Sequence, residues 1–455
     1  MKKHDLVIIG SGPGGYVAAI KAAQQGLDTA LIEKEAVGGV CLNWGCIPTK
    51  ALLKSAKAYQ IVQHAKDYGV NAGDVSLDFE AVMKRKNQGV KKLTGGVKHL
   101  LKKNGVTLYT GEATVNDATT ITVGDDTLKA KYLILATGAR PAVPPIDGLK
   151  EGLEKGFVKT SKELLAIDKL PKKLAVIGGG IIGMEFATMF NAFGVEVNVI
   201  EREKNMLLGV DDEIRQAFLK KLKKDGVTMQ TEANVTAVSK EGLTYTKDDK
   251  DHTVEADMIL LSVGMRPNVE SFESLKLDIG QHGVKTDEYM RTSVKNVYAI
   301  GDLNGKYQLA HVASKEGLVA VDTILGHEHA MSYRAVPSGI YTFPEIAQVG
   351  LTEAEAKDQN IDYKTSTFPL AANGKAIAEG ETDGLVKMIA ERKYGEVIGV
   401  HILAPTATDM ISEAVLGMNL EATAEEYARA IHPHPTLSET LHETALGILD
   451  KPIHI

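Results

Sequence analysis

The sequence is short of cysteine, tryptophan and long apolar runs. Its 455 residues hold two cysteines and one tryptophan. A secreted disulfide scaffold would carry more cysteines, spread along the chain. No apolar run approaches the roughly 20 residues of a membrane-spanning helix, so a membrane role is not expected. Excess positive charge is missing as well. The net charge of −7 offers no general basic surface for nucleic acid or acidic lipid. Lys2 and Lys3 superficially suggest a secretory start, but Asp5 and Gly10 interrupt any apolar segment there. These absences leave the expectation of a soluble, cytoplasmic protein without nucleic-acid or membrane partners. At 44% hydrophobic and 24% charged the composition is that of a globular protein. A chain of 455 residues exceeds what one core organises, so two or three domains are expected.

What is present is glycine, in one pattern written twice. Residues 6–9, Leu-Val-Ile-Ile, form a short apolar run of the kind a buried parallel strand needs. Gly10-Ser11-Gly12-Pro13-Gly14-Gly15 follows, then an alanine-rich helical stretch and a second strand closed by Glu33. The pattern recurs with a strand at 174–177, the turn Gly178-Gly179-Gly180-Ile181-Ile182-Gly183, a helix over 184–193 and a strand closed by Glu201. Gly10 to Glu33 and Gly178 to Glu201 each span 23 positions. In a βαβ unit the first glycine of such a turn permits the tight bend. The second lets backbone N–H groups approach a pyrophosphate, and the third lets the helix pack on the strand. The positive end of the helix faces the phosphates, and the acid takes a ribose hydroxyl. Two such units predict two dinucleotides, most economically a resident flavin and an exchanging nicotinamide. Glu201 favours NAD, because a carboxylate repels a 2′-phosphate. Arg202 beside it reads as a solvated charge. Gly301-Asp302, after a strand at 297–300, fits a flavin ribityl chain. Thr137-Gly138 and Gly264 end two further matched strands near Pro141, Pro144, Pro145 and Pro267, where the chain crosses between units. Past residue 336 strands and helices alternate without a nucleotide motif, as in a separate α+β domain.

The two cysteines lie five positions apart, Cys41-Leu42-Asn43-Trp44-Gly45-Cys46. A bridge that short staples almost nothing. In an ideal helix these positions point about 140° apart, so a Cys41–Cys46 disulfide needs a distorted turn, which Gly45 permits. Pro48 suits the first turn of the helix that follows. Cys46 then sits at a helix N-terminus, where a thiolate is favoured. Thiol–disulfide exchange also needs a proton carrier. His432-Pro433-His434-Pro435 offers two candidates among 13 histidines, with Glu439 placed to orient His434.

Taken in order, Gly10 to Gly15, Cys41 to Lys50, Ala136-Thr137-Gly138, Gly178 to Gly183, Ala299 to Asp302 and His432 to Glu439 resemble the motifs of the class I pyridine nucleotide-disulfide oxidoreductases. The likeness runs along essentially the whole chain. Within that family it is greatest to the members that oxidise dihydrolipoyl groups with NAD, the runner-up being a glutathione reductase-like enzyme. The resemblance implies an α/β chain of two Rossmann-like units, FAD in the first and NAD in the second, followed by a C-terminal α+β dimerisation domain. It implies the divisions 1–143 (FAD), 144–264 (NAD), 265–335 (FAD, continued) and 336–455 (interface). Cys41 resembles the thiol that exchanges with substrate and Cys46 the thiol that faces the flavin. His434 matches the catalytic base and Glu439 its partner. Lys50 and Glu185 match a pair that joins the two nucleotide units. Ala310-His311 matches a flavin-side segment. A homodimer is implied, with His434 serving the cysteines of the other subunit. The lipoyl group is expected on a separate acyltransferase or carrier protein of a multienzyme complex. Trp44 departs from the family, where a smaller residue is common.

Overall fold

The computed structural model describes residues 1–455. The strand Lys2–Ile9 runs through the first sheet, parallel to Thr29–Glu33 on one side and to Asp126–Leu135 on the other. Thr107–Thr110 extends the first side. Asp126–Leu135 also pairs in parallel with Val297–Ala299 and antiparallel with Thr120–Val123. Leu6 to Ile9, the last four residues of that first strand, are all buried, as a parallel strand covered on both faces requires. One cover is the helix Pro13–Gln24, which packs on Ala310–Ile324. That approach is close: a Cβ on Gly317 would lie 2.7 Å from the Gly14 carbonyl oxygen. The first unit is therefore assembled from both ends of a long excursion. The chain leaves through Ala139–Pro141 and returns through Met265–Pro267, and these segments pair antiparallel.

The excursion holds a second parallel sheet in the order Thr228–Gln230, Glu196–Ile200, Lys173–Ile177, Met258–Leu261, Val158–Lys159. Its helix Ile181–Ala192 is buried on almost every side. It packs on the helix Cys46–Gln63 of the first unit as well as on its own sheet.

From Ser338 the chain forms an antiparallel sheet ordered Ser338–Ile340, Glu345–Gly350, Val397–Ala404, Leu385–Glu391, Tyr363–Pro369. Successive strand residues point to opposite faces. Ala347, Val349, Val400 and Ile402 join one core with the helices Ala407–Asn419 and Glu439–Ile448. Ile346 and Leu403, one position away, join the core of the second unit beside Phe186 and Phe218. The third sheet is thus packed between its own helices and the second nucleotide unit.

Helix starts differ from the sequence reading. The two glycine-turn helices begin earlier, at Pro13 and Ile181, directly after the second glycine, while the cysteine helix begins at Cys46 with Pro48 in its first turn, as expected. Pro13 costs nothing there, since the first N–H of a helix has no internal partner. No helix is long and apolar enough to cross a membrane.

Candidate active site

The two glycine turns repeat one geometry. Gly10 and Gly178 have φ of 100° and 106°, and a Cβ would lie 2.2 Å from the Ala136 oxygen and 2.4 Å from the Ser262 oxygen. Gly15 and Gly183 sit against the carbonyls of Gly10 and Gly178, at 1.9 and 2.1 Å from a built Cβ. Only glycine fits these four positions. Gly12 and Gly180 are different. Their φ values of −63° and −76° suit any residue, and nothing lies within 4 Å of a built Cβ. The chain itself gives no reason for glycine there. An approaching pyrophosphate does.

The acids close each turn in the same way. Glu33 accepts from the Ser11 N–H at 2.9 Å, and Glu201 from the Gly179 N–H at 2.7 Å. Arg202 turns away and pairs with Glu203 at 2.9 Å on the surface. Thr137 is tied to Asn268, its hydroxyl donating to the Asn268 carbonyl at 2.6 Å, across the crossing segments. Gly138 and Gly264 have φ of 67° and 106°, with open space where a side chain would start. These residues fit a dinucleotide at each turn.

The cysteines lie where two helices meet. The short helix Gly39–Trp44 ends at Gly45, whose φ of −137° and ψ of −113° break it, and Cys46–Gln63 begins. Both thiols are free, half-buried and hydrogen-bonded to one another. The Cys41 hydrogen bond lowers Cys46 to about 7, against burial, with help from the Lys50 charge and the Cys46 backbone N–H. Cys41, which gives that bond, is pushed well above the ordinary thiol range, and burial adds to the effect. Trp44 carries the Lys162 ammonium over its ring, 4.2 Å from the centroid. Lys162 also pairs with Glu35, just beyond Glu33.

Lys50, one turn after Cys46, donates to both oxygens of Glu185 at 2.9 Å. Glu185 is only 4% exposed and also accepts from the Tyr341 N–H at 2.9 Å. The Lys50 ammonium lies 4.4 Å from the Tyr341 ring centroid. The Lys50–Glu185 pair therefore joins helices of the two nucleotide units beside the cysteines, and the Tyr341 N–H ties in the segment after Ser338–Ile340.

The two histidines of the proline-rich loop have different surroundings. His432 is largely buried and bonded through both ring nitrogens, to Glu413 at 2.8 Å and to the Ala430 carbonyl at 3.2 Å. His434 is 78% exposed, and its Nδ1 meets Glu439 at 2.9 Å. Burial opposes ionisation of Glu439, but the Thr436 N–H and the His434 ring hold it below the usual carboxylate range. The second ring nitrogen of His434 has no partner within its own chain. A single chain thus presents the imidazole outward and does not join it to Cys41 or Cys46.

Asp302 is pushed up to about 6 by burial, with the nearby Glu316 adding to it. Glu316 was not foreseen. It is fully buried, accepts from the Gly301 N–H and the Tyr333 hydroxyl at 2.6 Å each, and so fixes the turn that carries Asp302. Its signal in the sequence is an acid on the apolar stripe Val312, Ala313, Ala320 of one helix. Ala310 opens that helix, and His311 bonds to the Pro337 carbonyl at 2.8 Å rather than entering the site.

Two glycine turns shaped for dinucleotides and a paired Cys41 and Cys46 are the features of flavoprotein disulfide reductases. Residues 4–317 match the pyridine nucleotide-disulphide oxidoreductase family and residues 336–445 its dimerisation domain, and the chain belongs to this family. It is an oxidoreductase that uses a flavin and a pyridine nucleotide. The chain is 43% identical to a dihydrolipoyl dehydrogenase of Bacillus subtilis, with 99% of each chain covered. It is 40% identical to that of Chlamydia muridarum, covering 99% of this chain and 98% of the relative. Among solved structures it resembles the HOCl-induced flavoprotein disulfide reductase RclA from Escherichia coli in its Cu(II) complex. The TM-score is 0.89 at 27% identity, covering 98% of this chain and 100% of that one. LpdA from Mycobacterium tuberculosis gives 0.87 at 26%, covering 98% of this chain and 99% of that one.

Proposed function

We propose that this chain is a dihydrolipoyl dehydrogenase that reoxidises protein-bound dihydrolipoyl groups through the Cys41–Cys46 disulfide and FAD, reducing NAD to NADH. The observation that carries the reading is the cysteine pair at the break between two helices, Cys41 in the first and Cys46 opening the second, with the Lys50 ammonium one turn on. Its setting is a chain similar over its whole length to proteins of that name. The division into an FAD unit (1–143 and 265–335), an NAD unit (144–264) and an interface unit (336–455) goes with it. Glu201 weighs against a glutathione reductase-like use of NADPH.

Bound FAD and NAD supply the electron path away from the cysteines. The residues do the rest. His434, from the second subunit, takes a proton from one dihydrolipoyl thiol, and Glu439 steadies the imidazolium. The resulting thiolate attacks Sγ of Cys41, the Cys41–Cys46 bond breaks, and Cys46 leaves as a thiolate. A low leaving-group pKa speeds that step, and the Lys50 charge and the Cys46 backbone N–H favour the Cys46 thiolate. The second lipoyl sulfur then attacks the lipoyl sulfur of the mixed disulfide and expels Cys41, and its proton passes to the departing Cys41, whose pKa is raised. The lipoyl group is left oxidised and the cysteine pair reduced by two electrons. The lipoyl-bearing partner is the acyltransferase or carrier of a multienzyme complex.

The test is NADH formation from NAD and free dihydrolipoamide by the purified holoenzyme, with NADP alongside. Rapid turnover with NAD alone is expected, and Cys41→Ser should abolish it while FAD stays bound. Absence of turnover in a flavin-loaded protein would overturn the lipoyl assignment.

A further inference from the structure

The third sheet grips the second nucleotide unit through one transverse row of polar side chains. Gln348, His401, Lys387 and Thr367 stand directly opposite one another on four neighbouring strands, so they share a face. Gln348 donates to the Gly209 carbonyl at 2.6 Å. Lys387 donates to Asp211 at 3.1 Å and to Glu353 at 2.6 Å, and Thr367 donates to Glu213 at 3.2 Å. Three residues of the row thus hold the segment from Gly209 to Glu213. Lys387 and Asp211 are buried at 3% and 2% exposure, far below what unpaired charges tolerate. His401 is fully buried beside them, its Nε2 on the Leu351 carbonyl at 2.9 Å. Burial opposes ionisation of Asp211, but the cationic surroundings and the Glu353 N–H keep its carboxyl below the ordinary range. Burial likewise opposes the Lys387 charge, and its two carboxylate partners more than offset it.

The gripped segment is the far end of a loop that starts at Glu201. Between these ends the loop folds back on the second glycine turn. The Leu207 N–H donates to the Gly179 carbonyl at 2.9 Å, and Met206 Cγ lies 2.7 Å from where a Gly179 Cβ would stand. Met206 and Leu207 are each 1% exposed, and Leu207 has φ of 52°, a left-handed conformation that a leucine holds only under constraint. The loop therefore has two anchors: the ribose acid with its glycine turn, and the polar row of the dimerisation domain.

We infer that Lys387, with Gln348 and Thr367, is a positioning residue for the pyridine nucleotide, setting the Glu201 loop over the Gly178–Gly183 turn from the dimerisation domain. The inference rests on reading that turn as the pyridine-nucleotide site. Lys387 touches no nucleotide. Its effect is to remove the freedom of a loop that would otherwise have to be ordered when the nucleotide binds.

The experiment compares dimeric, flavin-loaded wild type with Lys387→Met, Lys387→Arg and Gln348→Ala. NADH affinity is measured by direct titration, and KM for NAD and for dihydrolipoamide by steady-state kinetics. In Lys387→Met, NADH binding and KM for NAD should weaken roughly 3- to 10-fold, while KM for dihydrolipoamide stays within about twofold. Lys387→Arg should recover most of the loss. A folded Lys387→Met dimer that melts earlier yet binds NADH as wild type does would overturn the inference, leaving the row a purely structural clamp. Should Lys387→Met fail to fold, Gln348→Ala and Thr367→Val decide, and unchanged NADH affinity in both rejects the proposal. Wild type that binds no pyridine nucleotide would sink the reading of the turn, and the inference with it.

Discussion

Two cysteines of the same chemical type are driven apart because one hydrogen bond between them raises the Cys41 thiol and lowers that of Cys46. Cys46 is lowered to about 7, so in the reduced enzyme its thiolate absorbance should rise with a midpoint near pH 7 and vanish in Cys46→Ser. The depressed value also sets a sign for stability. A thiol lowered on folding stabilises the reduced protein above its unfolded value, about 8.5, and that contribution is lost as pH falls through the folded one. Thermal melts of the reduced protein should therefore improve from pH 6 to pH 9 by more than those of Cys46→Ser. The histidines part in the same way. His434→Gln should cut dihydrolipoamide turnover by about 10²–10⁴, the range for a lost acid–base group. His432→Gln should keep most of the turnover and lose about 1–3 kcal/mol of stability, because the Glu413 bond goes. The sequence pattern left this choice between two histidines open. What separates them is Glu413, brought in from another helix, and no local spacing announces that.

At the scale of elements, strand, glycine turn, helix and closing acid were legible twice over, because each position answers a local steric demand. The glycines divide into two kinds, and the division can be tested. Gly15→Ala drives a methyl into the Gly10 carbonyl and should destabilise the chain by about 1–3 kcal/mol or more, whatever is bound. Gly12→Ala meets nothing in the chain and should leave the apoprotein's melting point nearly unchanged while weakening flavin retention. Equal destabilisation of the two apoproteins would contradict this division. Less legible were the partners that lie far off in sequence. Glu316 stands out in the sequence only by its place on an apolar helical stripe, and its role appears once Gly301 and Tyr333 are seen bonded to it. The polar row Gln348, His401, Lys387, Thr367 exists only once four strands are in register, and no periodicity along a single strand reveals it.

At the scale of the molecule, each chain holds its cysteines in a shared inner corner and its exposed His434 on an outer loop. If the working site draws one from each subunit, two defective chains can repair one another. Hybrids of Cys41→Ser and His434→Gln subunits should regain about half of wild-type turnover per heterodimer, since one of two sites is then intact. No recovery on co-assembly would place both groups of a site in one chain. That two glycine-turn sheets come before an α+β segment was readable, because the motifs are spaced along the sequence. Their mutual packing was not, since Lys50 and Glu185 meet from helices of the two nucleotide units and Tyr341 joins them from the segment after Ser338–Ile340.

The single tryptophan of the chain, Trp44, stands between its only two cysteines. All indole emission from the unlabelled enzyme therefore originates inside the redox turn, under the Lys162 ammonium. The protein carries its own optical gauge: in the flavin-free chain, a shift or change in intensity of this emission on adding reductant reports this one turn and no other part of the fold.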